Sequence, residues 1–261
     1  MHIQDLGYFH IARFKDIQTK GAYFISRLRS DISVFEFRNG NFCKININKI
    51  SRKLRHGQHI ELGVYIGSLE LMPVRLIIEK VPKKVADEKR RKLKLLSKFK
   101  EKFISEKRLE LCDVNTYITN ASTSKISTQN IRAFYGIRWQ IEILFKAWKS
   151  VFNIDKFNKM KVERFECNTY GTLLLIALTT QLYGYFKNEI YTKYKKEIST
   201  LKFFKLMKNK IELLCKALKG KIDQSHELIF FLKKAVYNNC LKESRYKSKS
   251  ELEIIQNGSL N

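Results

Sequence analysis

Apolar and polar positions change period twice within residues 1–29. Met1 to Phe9 reads as the tail of a strand running into a turn at Gly7, which puts Asp5 at the strand's carboxyl end, where acidic ligands are commonly displayed. From Phe9 to Lys20 the spacing becomes helical through Phe9, Ile11, Ala12, Phe14 and Ile17, and Gly21 ends it. Ala22 to Arg29 then reads as a buried strand, so this stretch predicts one α/β unit. From Ser33 to about Val81 the texture is all-β. Val34–Phe37 and Phe42–Ile47 flank Asn39-Gly40-Asn41, a hairpin signal, and Ile60–Ile66 is expected to pair with Pro73–Lys80 across Gly67-Ser68. This stretch reads as a self-contained β insertion. His56-Gly57-Gln58-His59 has no cysteine partners and reads as a turn rather than a metal pair.

Lys80 to Arg108 holds 13 Lys or Arg against 4 Asp or Glu. Helical spacing of Leu93, Leu96, Phe99, Phe103 and Ile104 predicts a basic helix with those residues facing the core and its cations set toward a polyanion. Leu109 to Asn120 returns to a strand. Ser122 to Thr128 is a polar loop, with Ser127 or Thr128 capping a helix that begins near Gln129.

That helix carries the most distinctive stretch, Tyr135 to Lys149. At about 100° per residue, Tyr135, Arg138, Glu142 and Lys149 fall within an arc of roughly 60°. Phe134, Ile137, Ile141, Leu144, Phe145, Trp148 and Phe152 would cover the adjoining face toward the core. The polar four would span about 21 Å of axis, enough to follow several phosphates of a DNA strand. A loop follows at Phe152–Phe157, then Val162–Gly171 leads into an apolar helix from Leu173 to Phe186. Thr169 to Phe186 is of borderline length for a membrane span, but it holds Thr172, Thr179, Thr180 and Gln181, so a buried helix packed on a sheet is the expectation. Two basic amphipathic helices complete the chain: one from a cap at Ser199 or Thr200 to a stop at Gly220, the other from about Ser225 to Leu241. The last twenty residues are polar and expected to fray.

Composition narrows the function. Of 261 residues 44% are hydrophobic, with 18 Phe and 12 Tyr, so the chain buries a core and is not a disordered tail. Its formal charge of +26 suits a polyanionic partner and serves no purpose in an enzyme of small metabolites. The five cysteines are scattered without a CxxC pair, which fits a reducing cytoplasm and small core residues rather than zinc or disulfides.

Two segments together carry a resemblance. Tyr135, Arg138, Glu142 and Lys149, separated by two, three and six residues, resemble the Tyr-Arg-Glu-Lys signature of the insertion-sequence-four family of DDE transposases. Asp5-Leu-Gly-Tyr-Phe, with Gly21-Ala-Tyr-Phe-Ile-Ser-Arg-Leu28 downstream, is similar to the segment around that family's second catalytic Asp. Thr119-Asn120 and Val162-Glu-Arg-Phe-Glu-Cys167 are also similar to family members.

The resemblance implies a mixed α/β fold, an RNase H-like core interrupted by a β-rich insertion. Its divisions would be 1–29 (core, first part), 30–108 (insertion and basic helix), 109–190 (core, second part) and 191–261 (basic C-terminal helices). It implies Asp5 and Glu142 as catalytic carboxylates and ligands of Mg2+ or Mn2+, in a reaction that cuts and joins phosphodiester bonds with two metal ions. Tyr135, Arg138, Lys146 and Lys149 would contact DNA at the transposon ends, Arg138 by a bidentate hold and Lys149 as a point charge. The family's first Asp has no counterpart, since only four residues precede Asp5, and Asp113 lacks matching surroundings. The expectation is therefore a C-terminal portion of a transposase, cytoplasmic and not membrane-bound, inactive alone, forming a homodimer or a mixed dimer with an intact transposase. The alternative is a non-catalytic basic DNA-binding protein that inhibits or partners such an enzyme.

Overall fold

Strand-forming runs at His2–Gln4 (β1), Phe24–Arg27 (β2), Val34–Arg38 (β3), Asn41–Lys44 (β4), His59–Ile66 (β5), Met72–Lys80 (β6) and Val114–Thr119 (β7) join into one mixed sheet of order β1-β2-β7-β6-β5-β3-β4. The computed structural model describes residues 1–68, 70–99, 101, 103–218, 225–243 and 253–254. Backbone contacts divide the chain into two compact units, Met1–Arg138 with Glu251–Asn261, and Trp139–Ser250. The sheet belongs to the first.

β1 and β2 run parallel, as a strand–helix–strand crossover requires, and helix α1 (Ile11–Thr19) makes that crossover. All other pairings are antiparallel. Side chains alternate between two buried faces. Phe24, Leu76, Ile78 and Ile118 point to one core, where Phe14 of α1 stacks on Phe24 with centroids 4.4 Å apart. Ile25, Ile77 and Tyr117 point to the other, beneath helix α5 (Ile131–Ile137). The period-2 pattern of β2 and β6 is masked because their centres are covered on both sides.

The hairpin at Asn39-Gly40 forms as expected, with φ of 49° and 79° at the two positions, the left-handed pair that matches strand twist. Gly67 between β5 and β6 has φ +117°, and a Cβ there would lie 2.5 Å from the Glu70 carbonyl oxygen, so only glycine fits. The β-rich segment is not self-contained. β6 pairs with β7 from Arg75↔Thr119 to Lys80↔Val114, which makes the insertion, the strand that leads into Asp5 and the strand bearing Thr119 one continuous sheet. Within it, the stretch read as strand through Ile47 turns into helix α2 (Ile47–Lys53), because the Asn46 carboxamide caps it by accepting from the Asn48 and Lys49 N–H groups.

The basic helix is present as α3 (Lys83–Phe99), but its predicted core face is wrong. Leu96, Phe99 and Phe103 are 56%, 87% and 94% exposed, and the chain past Phe99 leaves the helix. Ala86 is its buried residue, and beside it Lys89 and Arg90 turn inward. Lys89 Nζ donates to the Val114 carbonyl (3.2 Å) and to Asn115 Oδ1 (2.6 Å), while Arg90 pairs with Asp87 and Asp113. Polar groups at the end of β7, rather than an oily groove, anchor this helix. A short helix α4 (Glu106–Glu110) and a 3-10 turn precede β7, which is shorter than the strand expected from 109 to 120.

The loop before α5 is pinned to the sheet. Arg75 holds Glu61 through two bonds of 2.8 and 2.7 Å and donates with its remaining nitrogen to the Ala121 (2.5 Å) and Ile126 (3.2 Å) carbonyls. Thr128 also gives its hydroxyl to Glu61. It therefore does not cap α5, whose N-cap is Asn130 with no side-chain bond.

In the second unit, α6 (Trp139–Val151), α7 (Val162–Tyr194), α8 (Thr200–Asn209), α9 (Ile211–Leu218) and α10 (Ser225–Asn239) surround Ala147, Val151, Phe186, Ile190, Phe203, Phe204 and Val236. Ser199 caps α8 as predicted. The helix expected to run on to Gly220 breaks at Lys210, and Gly220 itself lies outside the described residues, as does most of the tail expected to fray. α7 is one helix of 33 residues, not a short apolar one, and within its unit it packs on α8 and α10. Leu174 and Tyr185 on it are exposed. Among the described residues no helix is long and apolar enough to cross a membrane. The cysteines depart from expectation: Cys112 and Cys240 are buried, whereas Cys43, Cys167 and Cys215 are exposed.

Candidate functional site

Asp5 follows β1 directly and caps the 3-10 turn Leu6–Tyr8, its Oδ1 accepting from the Leu6 N–H at 2.8 Å. Its other oxygen lies 3.8 Å from Arg138 Nη1 at the carboxyl end of α5. That end is set by the tail of the helix, where the Arg138 N–H bonds the Tyr135 carbonyl at 3.1 Å. The Arg138 guanidinium stands 5.7 Å from the centre of the Tyr135 ring, and Tyr135 meets Tyr117 of β7 at 5.4 Å. Three residues picked from sequence, Asp5 lying at least 130 positions from the other two, thus converge within the first unit. The Asp5 side chain is half exposed and that of Arg138 is 19% exposed, so solvent screens the pair and its contribution to stability is small.

Burial pushes the Tyr135 hydroxyl up, against the pull of Arg138 and Arg27, so it stays a neutral donor. Burial likewise raises Tyr117, to about 12. Lys89, on the same face, is held down at about 8, first by burial and then by the charge of Arg27. A phenol that donates beside guanidinium groups is suited to meet an oxyanion.

The polar stripe read as one helix is divided. α5 ends at Ile137, Arg138 occupies a turn, and α6 starts at Trp139, so the arc does not belong to a single element. Within α6, Glu142, Lys146 and Lys149 keep positions i, i+4 and i+7 and share one stripe. Glu142 is half-buried, and both lysines are exposed. The apolar face is also only partly as predicted: Phe134 is buried, but Ile141 and Phe145 are 50% and 48% exposed, and Ala147 and Val151 take the core positions of α6. Asp5, Tyr135 and Arg138 lie in the first unit; Glu142, Lys146 and Lys149 lie in the second.

Sequence reading missed Tyr117, Arg27 and Lys89. Arg27 was within sight, inside the Gly-Ala-Tyr-Phe-Ile-Ser-Arg-Leu stretch. Thr119 and Asn120, by contrast, act structurally. Asn120 accepts from the Phe24 N–H and donates to the Ala22 carbonyl, each at 2.9 Å, and Thr119 donates to the Phe24 carbonyl at 2.5 Å. They clasp the start of β2, which sets the sheet position of the strand beside Asp5.

A divalent cation requires several oxygen donors converging on one point. Asp5 spends one oxygen on Leu6 and turns the other to Arg138, and among the described residues no group of three His, Cys, Asp or Glu side chains is placed to hold a metal ion. The side chains gathered at Asp5 are those of an anion site, and Asp5 is the one carboxylate among them, too few by itself to hold a metal.

The comparisons define the class. Residues 3–178 match the family model described as the transposase DDE domain. The chain is 30% identical over 267 residues to the transposase for insertion sequence element IS231B of Bacillus thuringiensis subsp. berliner, covering 97% of this chain and 56% of that protein. It is 35% identical over 220 residues to the transposase for insertion sequence element IS1151 of Clostridium perfringens, covering 78% of this chain and 46% of that protein. A mixed α/β protein, strongly basic, with an acidic residue at a strand end beside tyrosine and arginine, is thereby placed: the chain belongs to the DDE transposase family. It spans about half the length of the relatives it matches. The family implies a divalent metal, which the residues around Asp5 do not by themselves accommodate.

Proposed function

We propose that this chain serves DNA transposition as the part of a DDE transposase that grips transposon-end DNA. Tyr135, Arg138, Lys146 and Lys149 contact backbone phosphates, and Asp5 and Glu142 are two of the family's metal-binding carboxylates within an RNase H-like core. The observation that carries this reading is the convergence of Asp5, Tyr135 and Arg138, which join the two sequence segments of the resemblance at one place. With Asp5 already engaged by Leu6 and Arg138, the chain alone binds DNA without cutting it. It acts in the cytoplasm, as a homodimer or in a mixed dimer with an intact transposase.

The test uses purified chain with linear DNA and Mg2+. Binding that weakens steeply with salt, unaltered by EDTA and without strand cleavage, is the expected result. Mg2+-dependent cleavage lost on Glu142→Gln would overturn the proposed inactivity, and absence of any DNA binding would overturn the function itself.

A further inference from the structure

Arg27 lies opposite Tyr117 across the antiparallel β2–β7 pair, and residues directly opposite share one face of a sheet. The next residue of β2 on that face, Ile25, packs with Tyr117, Ile131 and Phe134 beneath α5. Tyr117 in turn touches Tyr135. On its other side, β2 runs parallel to β1 with Gln4 matched to Ser26, so Arg27 follows at the level of Asp5. The residue thus stands at the carboxyl ends of two neighbouring parallel strands, on the face that bears Tyr135. The reach of its charge is felt by the hydroxyls of Tyr135 and Tyr117 and by the Lys89 ammonium.

This charge is uncompensated. Arg27 is half-buried, and among the described residues its side chain makes no hydrogen bond or ion pair. The carboxylates nearby are already engaged: Asp5 faces Arg138, and Glu79 accepts from Arg132 and Asn115. Lys89 and Arg132 add cations to the same face. Holding a guanidinium partly out of water without an acceptor is costly, and its planar fork of donors matches a phosphate.

We propose that Arg27 is a phosphate-binding residue that grips a DNA backbone phosphate together with Tyr135 and Arg138. The proposal rests on the reading of the chain as a DNA-binding part of a transposase. It assigns one anion to a site whose two arginines approach from different elements, Arg27 from β2 and Arg138 from the end of α5. Asp5 restrains Arg138, which leaves Arg27 as the cation waiting for a ligand.

The experiment titrates a fluorescently labelled DNA duplex of arbitrary sequence with the full chain over a salt series, comparing wild type with Arg27→Gln, Arg27→Lys and Arg138→Gln. The exposed Lys49→Gln serves as control. Arg27→Gln is expected to weaken binding about tenfold and to flatten the plot of log affinity against log salt by about 1, with Arg27→Lys intermediate. Thermal melting of Arg27→Gln is expected to match or exceed wild type, because an uncompensated cation has been removed. Unchanged affinity and slope for Arg27→Gln, while Arg138→Gln binds less well, would overturn this inference and leave the proposed function standing. A lower melting temperature with an unchanged slope would mark Arg27 as structural and also overturn it. Wild type that fails to bind DNA would remove both readings. If inorganic phosphate nevertheless raised the melting temperature of wild type and not of Arg27→Gln, the site would be one for free phosphate, against the proposal.

Discussion

At the scale of single residues, Lys89 shows how burial and a neighbouring charge produce a measurable signature. Its ammonium is held near 8 against an ordinary lysine value of 10.5, first by desolvation and then by Arg27, with Glu79 and Arg132 also acting on it. Between these two values the unfolded chain binds the extra proton and the folded chain does not, so this residue makes stability rise with pH across that window. Below pH 8 both states are protonated and the penalty is present in full. Lys89→Met removes this dependence. The difference in urea midpoint between wild type and Lys89→Met is expected to shift in favour of wild type as pH rises from about 8 to 10. A difference that stays flat with pH would mean that Lys89 is solvated.

Asn120 offers a second test at this scale. Its carboxamide satisfies one donor and one acceptor of the backbone at the start of β2, and Asn120→Ala strands both. A loss of about 2–3 kcal/mol follows from two partly buried groups left unpaired, read as a lower urea midpoint with unchanged slope. An unchanged midpoint would show that water replaces the side chain.

At the scale of elements, α3 carries the largest surplus of charge that no core requires. Lys84, Arg91, Lys94 and Lys98 are exposed, and at about 100° and 1.5 Å per residue they occupy an arc near 80° over roughly 21 Å. Val85, Leu96 and Phe99 lie exposed along the flank of that stripe. Replacing the four cations by Gln preserves helix propensity and touches no packing, so the circular dichroism is expected to stay unchanged. If the stripe follows a DNA strand, each lost phosphate contact lowers the slope of log affinity against log salt by about 0.9. A slope equal to that of wild type would leave α3 as a solvated face.

The break at Arg138 belongs to this scale too. The sequence from Tyr135 to Lys149 has helical periodicity throughout, and local pattern gives no reason to divide it. Packing divides it, because Phe134 and Tyr135 are claimed by the sheet through Ile25 and Tyr117 while Ala147 and Val151 are claimed by the helical core of the second unit. Similarly, helical spacing of leucines and phenylalanines predicted a buried face for α3, yet its contact with the sheet is made by Lys89 and Arg90. Those bonds depend on the Val114 carbonyl, Asn115 and Asp113, whose position no local signal reveals.

At the scale of the whole molecule, a net charge of +26 and family membership over residues 3–178 point the same way, toward a polyanion. Part of the candidate site was legible beforehand, since Asp5 at a strand end and Tyr135 and Arg138 at their fixed interval are local signals. Arg27 and Tyr117 were not, because their significance arises only from the register of β2 against β7. A one-residue slip there would put the two side chains on opposite faces of the sheet.

By itself, the sequence determined the mixed α/β class, the hairpin at Asn39-Gly40, the basic helix and the helical C-terminal half, all of which follow from periodicity, turn chemistry and charge within about a dozen neighbouring residues. Only the tertiary structure decided that the β-rich segment shares one sheet with Asp5, that the signature divides at Arg138, and that α3 turns polar groups inward. Those outcomes depend on which distant strands pair and which cores compete for a side chain, and such non-local choices leave no mark in the local pattern.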